Sequence, residues 1–359
     1  MSRRTTSLMR AALSALHYSG VDELMAPFTG GVGVIFTLHH VRPDESDAFD
    51  PNGILRVTPE FLDLVVRLVK DRGFDVLSLD DVHYRLSEGD LDRPFACFTF
   101  DDGYRDNYEY AYPIFRDHGL PFAVYVTTDF ADGRGDLWWL ALEKVIRETA
   151  TIELKMDGAW RRFACATPAE KSEAFRSIYW WLRRTPEAEA RYTVSELCRA
   201  YSVDVSRLCS DLALTWGEIR ELARDPLVTI GAHTRRHYAI APLSLAEARL
   251  EIAESTRRIE AELGRPVRHF SFPYGDEQSA GARDFELVRE LGFRTAVTTR
   301  KQLLHARHSG EMTGLPRVSL NGEFQDARYV KVMLSGAPFA LQNIMRRVNP
   351  WPPAASAAR

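Results

Sequence analysis

The chain has 359 residues, 45% of them hydrophobic, 27% charged and 11% aromatic, a globular balance that excludes wholesale disorder, collagen-like repeats and a coiled-coil rod. Forty-six basic residues stand against fifty acidic ones, and the net charge of −4 lacks the basic excess of a dedicated nucleic-acid binder. No run approaches the ~18 consecutive apolar residues that span a bilayer, so a soluble protein is expected.

Residues 1–30 begin MSRRTTSLMRAALSALHYSG. The basic start is that of a leader peptide, but Arg10, Ser14 and His17 interrupt the apolar stretch a leader needs. Leu8, Met9, Ala12, Leu13 and Leu16 fall at helical spacing and predict a basic amphipathic helix. Such a helix either packs on the domain or rests on an anionic membrane surface. Packing, with a cytoplasmic location, is the expectation.

From residue 31 to 320, strand and helix patterns alternate. Apolar runs at Val32–Val41, Phe74–Leu79, Phe95–Phe100, Phe122–Thr127, Leu227–Ala232, Val267–Phe272, Arg294–Thr299 and Leu315–Leu320 predict strands. Several are nearly continuous, as in strands buried on both faces. Thr58-Pro59 starts a helix that Gly73 ends, and Ser244 with Glu247 forms a capping box for one that ends at Gly264. Alternation of this kind means βαβ units and a parallel sheet, and about eight strands over about 250 residues favour a closed α/β barrel.

Residues 131–226 break the pattern. Helices are predicted at Trp138–Thr149, Lys171–Arg184 and Pro186–Tyr201, with Thr151–Met156 the one candidate strand. This is a mainly helical insertion between two barrel strands, and its Trp138-Trp139 and Trp180-Trp181 pairs read as packing residues before sugar-stacking ones. Residues 321–359 predict a C-terminal helix followed by a disordered Pro/Ala tail from Pro350. The four cysteines form no C-x-x-C pair, which leaves each a buried apolar role.

Three strand ends carry chemistry. Phe98-Thr-Phe-Asp101-Asp102-Gly103 delivers two carboxylates to a glycine turn, at the end of a strand where barrel enzymes place catalytic groups. His233-Thr-Arg-Arg-His237 follows another strand, at the i, i+4 spacing that lets two imidazoles reach one metal ion. Two imidazoles and a carboxylate suit Zn²⁺ first and other borderline divalent ions after it. Phe270-Ser-Phe-Pro273-Tyr274-Gly275 ends a third strand with a fixed turn that can aim the Tyr274 N–H at an oxyanion.

Taken jointly and in this order, the three segments resemble the first motifs of the NodB-type polysaccharide deacetylases, carbohydrate esterase family 4. The resemblance runs from about Val32 to Leu320. It implies a distorted (β/α)7 barrel and a metal-dependent hydrolase that removes N-acetyl groups from N-acetylglucosamine-containing polysaccharides or oligosaccharides. Carried over, Asp101 is the general base, Asp102, His233 and His237 bind a divalent metal, most simply Zn²⁺, and Tyr274 supplies the oxyanion donor. The family's R-x-P-Y arginine is absent, its position being held by Ser271. A subgroup carries a late L-P-R, here Leu315-Pro316-Arg317, which makes Arg317 the candidate partner of Asp101. The family's L-x-H general acid has only Leu303-Leu304-His305 as its nearest match. The subgroup's Y-H-x-V segment corresponds to Leu38-His39-His40-Val41, and His40 is taken as the acid. The alternatives are a deacetylase or deformylase of a small glycolipid or nucleotide-sugar amide, and a non-catalytic glycan-binding protein.

Overall fold

The computed structural model describes residues 3–45 and 47–348. Seven strands make a closed parallel barrel: β1 (Gly33–Leu38), β2 (Phe95–Phe100), β3 (Phe122–Val126), β4 (Val228–Ala232), β5 (His269–Ser271), β6 (Thr295–Lys301) and β7 (Leu315–Ser319). Each pairs with the next in sequence, and β7 returns to β1 through Phe36↔Val318 and Thr37↔Ser319. The eighth predicted run gives only Asp75–Val76, which pairs with the start of β2, while β3 pairs with its far end.

Every residue of β1 and β2 is buried, which explains their continuous apolar runs. Alternate positions separate as the pleat dictates. Val34, Phe36, Leu38, Phe98 and Phe100 join Leu62, Val65 and Val66 of the Pro59–Asp71 helix in the main core. Ile35, Cys97, Tyr125, Val297 and Leu315 form a second cluster with the Leu79–Glu88 helix. The expected helix signals are used. Thr58 caps Phe61 N, Ser244 and Glu247 form their capping box, and Gly264 closes its helix at φ 65°. All four cysteines are free and buried.

At the N-terminus, α1 (Arg3–Ser19) and α2 (Val21–Thr29) pack on the C-terminal part of the chain, where Thr6 Oγ1 donates to Glu323 Oε1 at 2.9 Å. Among the described residues no helix is long and apolar enough to cross a membrane.

The insertion leaves after β3 and returns at β4. Its helices are α3 (Trp138–Glu148), α4 (Pro168–Leu182) and α5 (Glu187–Ala200), built around their own core of Leu142, Val145, Ile146, Ile152, Ile178 and Leu197. Thr151–Met156 is a strand, as expected, but it pairs with an unexpected second one, Ala159–Ala164. That partner reads AWRRFA and has no buried residue, so no apolar period marked it. Beyond β4 runs α6 (Leu245–Leu263), and the chain ends in α7 (Ala337–Val348). The tail expected from Pro350 lies outside the described residues.

Candidate active site

The parallel barrel brings the C-terminal ends of β2, β4 and β5 to one mouth, and with them Asp101-Asp102, His233–His237 and Tyr274. The turns there are strained. Asp102 (φ 73°), Thr234 (62°), His237 (59°) and Tyr274 (61°) are four of the six non-glycine residues with positive φ among the described residues. Each such residue costs on the order of 1–3 kcal/mol and persists only where its surroundings over-determine it. At Gly275, also left-handed, a Cβ would come within 2.6 Å of Thr299 N, so only glycine fits.

Asp102, His233 and His237 offer one ligand atom each, all within 4.8 Å of one another and all buried. Asp102 Oδ1 lies 3.3 Å from His233 Nε2 and 3.1 Å from His237 Nε2. His233 Nδ1 sits 2.7 Å from the Ser271 carbonyl and must donate to it, which leaves Nε2 of the neutral ring as a lone pair. Asp102 Oδ1 is a buried oxygen without a hydrogen-bond donor. Burial opposes the Asp102 charge, yet His237 and His233 hold its carboxyl well below the usual range. Burial drives His237 down to about 4, so its ring is neutral near pH 7. Two imidazoles and one carboxylate converging on a buried point fit a divalent cation with open coordination positions.

Asp101 points to the same mouth and is held differently. Arg317, fully buried, reaches it with two parallel bonds, Nη1 to Oδ1 at 2.8 Å and Nη2 to Oδ2 at 2.6 Å. The remaining guanidinium donors go to Thr298 O, Thr99 Oγ1 and Ser271 Oγ. Burial raises the Asp101 pKa, but the Arg317 charge more than offsets this and the carboxyl falls to about 2. Ser271, where the R-x-P-Y arginine would stand, thus touches the arginine that approaches from β7.

The histidines differ from expectation. His40 Nδ1 is bound to Asp106 Oδ2 at 2.6 Å, its ring stacks on Tyr104 at 3.6 Å, and it lines a neighbouring cavity of about 460 Å³. It is turned away from the carboxylates. His39 lines the site cleft instead, with Asp101, Asp102, His233 and His237. The reason is the pleat: Thr37 Oγ1 reaches Asp101 from inside the barrel at 3.4 Å, so position 39 follows it inward and position 40 turns out. The same alternation, and the Y-H-x-V register itself, could have selected His39 from sequence. His305 is at the wrong end of the barrel, since its neighbour Leu304 bonds Gly33 at the start of β1.

Tyr274 is locked from three sides. Thr299 Oγ1 donates to its carbonyl at 2.6 Å, Trp138 Nε1 to its hydroxyl at 2.9 Å, and the Arg183 guanidinium lies 3.5 Å over its ring. The cleft, of about 240 Å³, is walled by Trp139, Tyr179, Trp180 and Arg183 from the insertion and by Asp276 from the barrel. Trp138 and Trp139 are buried, whereas Trp180 is 52% exposed at the cleft. Arg183 and Asp276 carried no sequence signal, because only tertiary packing brings α4 to the turn after β5.

A family model described as polysaccharide deacetylase matches residues 88–296. Among solved structures, the chain is similar to the Streptococcus pyogenes deacetylase PplD in complex with acetate, at 16% identity and a TM-score of 0.56 over 84% of this chain and 97% of that one. It is similar to IcaB from Ammonifex degensii at 16% identity and a TM-score of 0.52, covering 84% and 97% of the two chains. A de-N-acetylase from Aggregatibacter actinomycetemcomitans gives 14% identity and a TM-score of 0.52 over 84% and 99%. At these identities the likeness is one of fold, the (β/α)7 barrel. No curated protein matches the chain.

Proposed function

The chain belongs to the polysaccharide deacetylase family, and we propose that it hydrolyses N-acetyl groups of an N-acetylglucosamine-containing polysaccharide or oligosaccharide with a divalent cation, Zn²⁺ by ligand type, held by Asp102, His233 and His237. The observation that carries this reading is the meeting of that buried ligand set with the Arg317-bound Asp101 at one mouth. As an amide hydrolase the chain needs an activated water, a stabilised oxyanion and a proton for the departing amine.

A cation in this place supplies Lewis acidity, which lowers the pKa of water and polarises an acyl oxygen. Asp101 accepts the proton of the attacking water, and its two bonds to Arg317 keep it ionised and aimed. The Tyr274 N–H, presented by a left-handed residue locked on three sides, donates to the oxyanion. His39, which lines the cleft with Asp101 and Asp102, takes the acid role rather than His40. Burial lowers its pKa against the pull of Asp102 and Asp101, and in its protonated form the ring donates to the departing amine nitrogen. Water addition forms the new C–O bond and the oxyanion, and its collapse breaks the C–N bond as the amine takes the His39 proton, so that acetate and a free amine leave.

The test is product analysis. Zinc-loaded protein given N-acetylglucosamine oligomers should release acetate and free amines in equal amounts. Zinc-loaded protein that releases neither from any N-acetylated glycan would overturn the reading.

A further inference from the structure

His233 and His237 lie four residues apart but are held by different means. His233 continues β4, its N–H bonded to Val126 O at 3.0 Å and its ring anchored on Ser271 O. His237 has no such anchor, because its Nδ1 is buried without a hydrogen-bond partner among the described residues. A ligating imidazole ordinarily fixes its orientation through that second nitrogen. Here orientation falls to ring packing against Phe130, Trp139 and Tyr274 and to the backbone of a left-handed residue, whose N–H donates to Thr234 Oγ1 at 3.0 Å.

The turn is gripped on two sides. From the barrel, α6 holds residues 235 and 236: Arg235 N donates to Glu251 O at 3.1 Å and Arg236 N to Glu251 Oε2 at 3.0 Å. From the insertion, α5 holds the next three. Arg191 Nη2 donates to His237 O at 3.0 Å, its guanidinium lies 4.6 Å over the Tyr238 ring, and Glu187 Oε1 accepts from Ala239 N at 2.9 Å. Glu187 and Arg191 close the grip on each other at 2.9 Å, at helical i, i+4 spacing. Arg191 is 7% exposed. Its buried charge is met by Glu187 and by the Tyr238 ring, which leaves Nη2 free to hold His237 O in a fixed direction.

We propose that the Glu187–Arg191 pair is a clasp through which the insertion positions His237 for the cation. Both are positioning residues, and the proposal rests on Asp102, His233 and His237 being ligands. It gives the insertion a task beyond walling the cleft: α5 fixes the His237 carbonyl, while Thr234 Oγ1 accepts from His237 N at 3.0 Å and the Phe130, Trp139 and Tyr274 rings pack around the imidazole.

The experiment measures Zn²⁺ affinity by chelator competition, together with thermal unfolding of the metal-free protein, for wild type, Arg191→Met, Arg191→Lys and Glu187→Gln. Loss of an outer-shell partner of this kind weakens metal binding about 10–100-fold. Arg191→Met should show that loss while remaining folded. Arg191→Lys, which keeps one donor for His237 O, should recover part of it, and Glu187→Gln should fall between. Arg199→Ala, which opens an exposed pair on the same helix, should bind as wild type. Should Arg191→Met fail to fold, Arg191→Lys decides alone, by binding more weakly than wild type or equally well. Variants that lower the melting temperature but bind Zn²⁺ as wild type does overturn the clasp and leave the ligand assignment standing. Failure of the wild-type protein to bind Zn²⁺ overturns both.

Discussion

The barrel and the insertion meet at one cleft but are made in different ways and contribute different things. Barrel strands are buried on both faces and end in short, strained turns that carry Asp101, Asp102, His233 and Tyr274. The insertion builds a separate core and contributes long side chains, Trp138, Arg183 and Arg191, that reach across to those turns without joining the ligand set. Groups on strand ends hold their place through the sheet ladder, so chemistry that tolerates no displacement belongs there. Groups from the insertion act by pressing on the turns, and their removal should cost less.

That ranking can be broken by substitution. His233→Ala, on the barrel side, should abolish stoichiometric metal in atomic absorption and lower turnover by more than the loss of any one acid or base. Asp101→Asn should retain the cation and lose about 10²–10⁴-fold in kcat, the usual worth of a general base. A variant that kept half its activity would remove Asp101 from the mechanism. His39→Gln should cost about 10²-fold, at the low end of a general acid's contribution, with His40→Gln far milder. The reverse order would restore His40. Trp138→Phe removes one hydrogen bond from the Tyr274 hydroxyl, about 1 kcal/mol and so about fivefold in kcat/KM. An effect there as large as that of Asp101→Asn would erase the distinction between the two regions.

The same contrast governs what was legible in the sequence. Strands buried on both faces announce themselves as apolar runs, as the seven barrel strands do, whereas the Phe74–Leu79 run yields only the half-buried pair Asp75–Val76. Asp102 and His233–His237 were legible because motif spacing and strand ends coincide. The Arg317–Asp101 contact spans 216 positions and needed the family pattern before the structure showed the two side chains together. Strand alternation places His39, not His40, in the cleft, and a one-residue shift reverses a side chain's direction. Ala159–Ala164 escaped because an exposed strand carries no apolar period. Arg183, Glu187 and Arg191 were out of reach, since on a helix surface they look like any solvated charge until the fold sets them against Tyr274 and His237.

The central claim is that one divalent ion sits among Asp102, His233 and His237. Anomalous diffraction at the zinc absorption edge, on crystals grown with Zn²⁺, tests it most directly. A single strong peak within ligand distance, about 2.0–2.2 Å, of Asp102 Oδ1 and both Nε2 atoms is the expected result. A peak bound elsewhere, with these three side chains left as they are, would contradict it.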